Sequence, residues 1–195
     1  MITNYRKWKY TCLTLVILLV PGCATLHYSQ IQQGKLTGKL LVEWIDADLF
    51  IFTPDKEKPL RFGRHNGEII EPGRMITDGG SIPRIFWALR SYSPWGYAPA
   101  FITHDWLFAV KHCGYPVDKN YTFDESAIIL SEIIKTLMLD PKYNFEDKLS
   151  MYAIHEAVKS PIAREIWDNG KCTNESELRG SIPRKAAISY VIEFP

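Results

Sequence analysis

Asn66-Gly67 lies between two short apolar runs, Leu60 to Phe62 and Glu68 to Ile70. Both residues of such a pair tolerate positive φ, which the tight turns joining antiparallel strands require. A hairpin here commits the N-terminal third of the chain to an antiparallel sheet. Upstream, Lys39 to Phe52 is dense in Leu, Val, Ile, Trp and Phe and is broken around Asp46 and Asp48, reading as two strands or one bent one. After Asp78-Gly79-Gly80 the punctuation becomes that of helices. Ser81, with Pro83 in the first turn, opens a short helix to about Arg90, and Pro99 starts a second that ends near Gly114. Thr122-Phe123-Asp124-Glu125 has capping-box spacing and opens a third through about Met138. Asn144 caps a fourth, Phe145 to Lys159, and Ser160-Pro161 begins a fifth that stops before Gly170. Ile188 to Phe194 reads as a last strand able to return to the sheet. The order predicts one α+β domain over residues 36–195, a small antiparallel sheet packed against three or four helices.

Residues 1–22 carry a different signal. Arg6, Lys7 and Lys9 form a basic start, Cys12 through Val20 is apolar, and Pro21-Gly22-Cys23-Ala24 follows. That order describes a secretory signal, and the run falls short of the ~20 apolar residues a membrane-spanning helix needs. Val20-Pro21-Gly22-Cys23 resembles the lipobox of bacterial lipoproteins, with Pro21 departing from the usual small or hydroxyl residue. The resemblance implies a lipid on Cys23 and an extracytoplasmic, membrane-anchored domain; Ala24 after the cysteine implies the outer membrane where a cell has one. An uncleaved N-terminal anchor is the alternative, and it also places the domain outside the cytoplasm. Residues 23–35, with Gln30, Gln32, Gln33 and Gly34, read as a polar tether.

Without the three basic residues of the signal, the net charge of +1 becomes −2. A near-neutral chain with no basic stripe lacks the electrostatic footprint of a nucleic-acid binder. Its 46% hydrophobic content suffices for a core and argues against disorder. Once Cys12 leaves with the signal and Cys23 takes the lipid, Cys113 and Cys172 remain. In an oxidising compartment they can form a disulfide, or they can be two separate buried thiols. Neither has the spacing of a metal site.

Three stretches place polar residues in apolar company. Ile76-Thr77-Asp78-Gly79-Gly80-Ser81 offers backbone N–H groups and a helix start suited to an anion or a carbonyl; an Asp turn and a Ser cap are the structural alternative. On the second helix, Asp105 falls between Phe101 and Ala109, and His104 beside Phe108 and Lys111. Both therefore point toward an aromatic face, where a lone carboxylate is costly unless paired. His112, two turns on, shares that face. Such a set can hold a divalent metal or act as a general acid and base, and it can equally be a core polar network. Asp124 and Glu125 occupy a helix's first turn, where acids are favoured by the dipole, and His155-Glu156 is a weaker pair. No GxSxG, HExxH, Walker loop or paired-cysteine motif occurs, which removes several enzyme classes. Gly80-Ser81-Ile82-Pro83-Arg84 recurs at residues 180–184, too short an identity for a duplication.

The segments Thr77-Asp78-Gly79-Gly80-Ser81-Ile82-Pro83, Gly96-Tyr97-Ala98-Pro99-Ala100 and His104-Asp105-Trp106-Leu107-Phe108 together resemble the family described as "domain of unknown function 1353", common in bacteria, bacteriophages and prophages. The resemblance spans about Gly67 to Lys159. Thr77, Asp78, Ser81 and Pro83 match its first segment, and His104, Asp105 and Leu107 its second. In the third segment Asp124 matches, but Phe123 stands for an Ala and Asn120 for an Arg, leaving Lys119 as the nearby cation. The family carries no activity to transfer.

Two functional expectations follow. One is a membrane-anchored envelope lipoprotein with a binding or structural role toward an envelope or phage component. The other is a metal-assisted hydrolase acting on peptidoglycan or another wall component. In the second, Asp78, His104 and Asp105 form the catalytic group, with His104 as ligand or general base and Asp105 as orienter or co-ligand. Asp78 and Asp124 supply further metal ligands.

Overall fold

The computed structural model describes residues 22–46, 49–77, 96–116, 119–142, 145–172 and 188–194. Within them the chain is an α+β domain: an antiparallel, curled sheet with helices packed against it. The strands are β1 (Lys35–Asp46), β2 (Leu49–Phe52), β3 (Arg61–Gly63), β4 (Ile69–Ile70), β5 (Met75–Thr77) and β6 (Ile188–Phe194). The helices are α1 (residues 22–30), α2 (Ala98–Cys113), α3 (Phe123–Leu139), α4 (Lys148–Val158) and α5 (Pro161–Asn169). Asp78, the short helix read from Ser81, Asn144 and both copies of the five-residue repeat lie outside the described residues.

β1 organises the sheet. Its start pairs with β3 and its remainder with β2 and β6, giving the order β4-β3-β1-β2-β5 with β6 on β1. The change of partner falls at Gly38, whose φ of 93° and closeness to the Pro59 carbonyl leave no room for a Cβ. The expected hairpin at Asn66-Gly67 joins β3 to β4, with Gly67 at φ 88°. The C-terminal strand does return, pairing along β1 from Gly38↔Phe194 to Trp44↔Ile188.

Between sheet and helices lies one core. Leu40, Phe52, Leu60 and Phe62 from the sheet side meet Phe101 and Leu107 of α2 and Ile129, Ile133 and Ile134 of α3. Each such side chain contributes roughly 1.5–3 kcal/mol on burial. α3 has the expected capping box: Thr122 Oγ1 accepts from the Glu125 N–H and the Glu125 carboxylate accepts from the Thr122 N–H. α5 is capped by Ser160, as its Ser-Pro start implies. The fourth helix begins later than expected. Its cap is Asp147, whose carboxylate accepts from the Ser150 N–H at 2.9 Å, so residues 145–147 precede the helix.

The expected polar tether is structured instead. Residues 22–30 form α1, which docks on α3 and α4. Ala24 and Ile31 are buried and His27 and Tyr28 half-buried, the i, i+3, i+4, i+7 pattern of one helical face. The glutamines that suggest a tether, Gln30, Gln32 and Gln33, are on the exposed side. Lys135 of α3 reaches under the end of α1 and donates to the carbonyls of Tyr28 (2.7 Å) and Ile31 (2.8 Å). A cation there satisfies the last carbonyls and the dipole of α1 together. Tyr28 Oη donates to Glu146 and the Gly34 N–H to Thr136 Oγ1, completing the dock.

Candidate functional site

β5 and α2 build the site. β5 pairs antiparallel with β2 and delivers Thr77 at its end. α2 starts at Pro99 in its first turn and ends at Gly114, which adopts the left-handed conformation at φ 64°. Helical rotation of ~100° per residue sends His104 and Asp105 to adjacent sides of α2. Thr77 Oγ1 donates a hydrogen bond to Asp105 Oδ2. His104 Nδ1 lies 3.6 Å from Asp105 Oδ1, an ion-pair separation beyond hydrogen-bond range. The far side of the imidazole is different: His104 is 6% exposed, and its Nε2 is buried without a hydrogen-bond partner. Thr103 Oγ1, beside it in sequence, is in the same condition. The His104 ring leans on Phe108 at 4.8 Å.

These side chains line a cleft of about 740 Å³ between β5, α2, α4 and α5. Met75, Ile76, Phe101, Phe108, Ile162 and Ile166 form apolar wall, while Thr77, His104, Asp105, His112 and Glu156 bring polar atoms. Cys113 is part of the lining and is bonded to Cys172, with Cα atoms 4.7 Å apart. Of the two states open to those cysteines, the structure has the bonded one.

His104 and Asp105 are therefore together, and the paired carboxylate finds its partner in Thr77 rather than in His104 alone. Thr77 is the residue sequence reasoning underused. It was visible in the Thr-Asp-Gly-Gly-Ser segment, but a strand end and a helix 28 residues apart meet only through the fold. His112 lines the same cleft, yet its ring is committed: Nε2–H donates to the Trp167 carbonyl at 3.2 Å. Asp124 does not join the group. Its carboxylate is 65% exposed at the start of α3 and pairs with Lys159 at 3.3 Å, the surface placement a helix N-terminus favours. Lys119 is likewise engaged elsewhere, at 2.7 Å from Glu125 and 3.6 Å from Glu68. Among the described residues, no three His, Cys, Asp or Glu side chains gather closely enough to hold a metal ion. Cys23 is exposed near the start of α1.

Two further clusters escaped the sequence. Arg64, just before the hairpin turn, forms a two-toothed contact with Glu132 of α3 (2.8 and 3.0 Å) and reaches Glu68 at 2.7 Å. Burial works against charge on Glu68, but hydrogen bonding from Tyr121 and Arg64 holds its carboxyl below the usual range. Burial, followed by that carboxylate, pushes the Tyr121 phenol up. The second cluster joins α1 to α3 and α4. His155 Nδ1 lies 3.0 Å from Ser131 Oγ and 3.3 Å from the Ala127 carbonyl, and the His27 ring packs 4.2 Å from that of His155. Burial, then the neighbouring His27, pulls His155 down to about 4. Glu132 within an apolar helix and Arg64 beside Asn-Gly were the available signals, but neither names its partner.

Comparison with protein-family models, with curated proteins and with solved structures finds no match to this chain.

Proposed function

We propose that this chain is a lipid-anchored protein of the bacterial cell envelope, with a binding role exercised in the cleft beside Thr77, His104 and Asp105. The observation that carries the reading is the buried, unpartnered Nε2 of His104 at the wall of a largely apolar cleft. A buried polar atom without a partner costs about 1–3 kcal/mol, a cost a ligand group would offset. The adjoining carboxylate is already oriented by Thr77, so the polar end is preorganised. An apolar molecule bearing one hydrogen-bonding group fits such a place, and the cleft volume lies in the range of small-molecule sites. The anchor rests on the basic start, the apolar run and Cys23 at its end. No helix among the described residues is long and apolar enough to cross a membrane. The resemblance to the "domain of unknown function 1353" family points to an envelope or phage component as partner.

Each half has its own test. Cys23→Ser should release the protein from the membrane fraction or leave it unprocessed; unchanged processing and retention would sink the anchor. For the cleft, N-phenyl-1-naphthylamine serves as an apolar probe with one N–H donor. It should bind with one-to-one stoichiometry, and Ala109→Trp, which fills the cleft, should abolish binding while near-ultraviolet dichroism stays native. Equal binding by both proteins would refute the cleft as a binding site.

A metal-assisted hydrolase is the second reading, and the same Nε2 atom is what favours it. An imidazole with a carboxylate toward Nδ1 and an unpartnered Nε2 suits a metal ligand or a general base. Under this reading zinc or manganese titrated into the purified protein binds stoichiometrically, and His104→Ala abolishes that binding. Undiminished binding by the variant, or none by the parent, removes it.

A further inference from the structure

The docked state of α1 constrains how an anchored domain meets its membrane. If residues 23–35 were a free tether, extended chain at ~3.5 Å per residue would allow the domain to stand about 45 Å from the bilayer. Instead Cys23 is exposed within a helix held by buried Ala24 and Ile31 and by Lys135, Glu146 and Thr136. No slack remains between the anchoring position and the folded body. In sequence, the apolar run of residues 12–20 ends one residue before α1.

The surface around Cys23 suits that position. Leu26, one turn after Cys23, is 59% exposed. The exposed side of α1 also carries Thr25, Ser29 and Gln30 and no charged residue, whereas a solvent-facing helix usually displays charge. The Tyr152 ring of α4 lies 5.6 Å from that of His27. One turn before Tyr152 on α4 is Leu149, 51% exposed, and Phe145 ahead of the helix is 58% exposed. Glu146, beside Phe145, bonds to Tyr28 of α1. Apolar side chains thus lie beside the anchor point, together with Glu146 and Lys148, which pair at 3.0 Å around Tyr28, and with Glu156, exposed one turn after Tyr152.

We propose that the face formed by α1 and the start of α4, with Leu26, Phe145 and Leu149 at its surface, lies directly on the lipid bilayer. This rests on the anchor reading above. With that face down, the domain sits against the headgroups rather than swinging on a leash, and Leu26 and Leu149 enter the interfacial layer.

The test uses the full chain processed in bacterial cells and reconstituted in phosphatidylethanolamine–phosphatidylglycerol vesicles with brominated acyl chains. Leu26→Cys, Leu149→Cys and His65→Cys each supply one labelling site, since Cys113 and Cys172 are bonded and Cys23 carries the lipid. Bimane at positions 26 and 149 should be quenched at least two-fold more than at position 65, on the β3–β4 turn. Vesicle flotation with all three labels equally unquenched overturns the proposal while leaving the anchor intact. An unmodified Cys23 in a protein that does not float overturns both. Protection of positions 26 and 149 that persists in Cys23→Ser protein without vesicles assigns the face to a second copy or another protein, and also overturns it.

Discussion

Two buried ionisable clusters in this domain stand in different surroundings. At the hairpin, Arg64 gives one forked pair of hydrogen bonds to Glu132 and another bond to Glu68, so both Glu132 oxygens are matched. At α2, Asp105 is matched by Thr77, but its neighbour His104 keeps an imidazole nitrogen buried and unpaired. Burial is similar in the two places: the side chains of Arg64, Glu132 and His104 are 10%, 9% and 8% exposed. What differs is the place of the unpartnered atom. Glu68 Oε1 is also buried without a hydrogen-bond partner, but it belongs to a cluster that locks a hairpin onto a helix. His104 belongs to the lining of a cleft.

The contrast breaks most readily at the hairpin. Glu132→Ala leaves the buried Arg64 charge with Glu68 alone and is expected to cost about 3–5 kcal/mol, read by urea denaturation. Arg64→Met combined with Glu132→Leu and Glu68→Gln should recover most of that loss, because no unmatched charge then remains. If the triple variant were as unstable as the single one, the pairing account of this cluster would be wrong.

Next in size is the disulfide that joins Cys113 of the cleft lining to Cys172. Replacing Cys113 and Cys172 by Ser should lower stability by ~2–4 kcal/mol in the same assay. Probe affinity should fall with it, since Cys113 lines the cleft. No change in either would separate the bridge from the site.

The histidine pair under α1 adds a pH dependence of its own. Burial puts the folded-state pKa of His155 at about 4, below its unfolded value near 6.5. The unfolded chain therefore takes up the proton first as pH falls. This stabilisation is present above pH 6.5 and is lost progressively down to about pH 4, a change of about 3 kcal/mol. His155→Phe should flatten the stability profile in that window, and an unaltered slope would assign the effect elsewhere.

The smallest expected effect is the most diagnostic. His104→Leu removes an unpaired polar atom from an apolar wall and should shift stability by less than about 1 kcal/mol in either direction. A loss as large as that of Glu132→Ala would make His104 a structural residue and erase the difference between the clusters.

Much of the architecture was legible because its signals are local. The Asn66-Gly67 turn, the Thr122–Glu125 capping box, the Ser160-Pro161 start and the returning strand at Ile188–Phe194 each act within a few residues, or through a period-2 pattern that needs no partner to be read. The pairing of Cys113 with Cys172 stood as one of two options, and composition could not choose between them. The later start of α4 shows the local limit: Asn144 and Asp147 are both competent caps, and Asp147 is the one whose carboxylate meets the Ser150 N–H.

Side-chain partnership belongs to the other category. From sequence, His104 and Asp105 are neighbours on a helix, and Asp124 is a further ligand candidate. Only the packing of β5 against α2 brings Thr77 to Asp105, and only the outward start of α3 sends Asp124 to Lys159. The Gln-rich stretch after Cys23 likewise reads as a tether until α3 and α4 provide a surface for Ala24, His27, Tyr28 and Ile31. Turn and cap preferences are properties of a few adjacent residues, so the chain alone marked the β3–β4 turn, the starts of α2, α3 and α5 and the returning last strand. Which polar groups are matched, which are left open and whether the anchor point is held to the body depend on surfaces far apart in sequence, and these the tertiary structure alone decided.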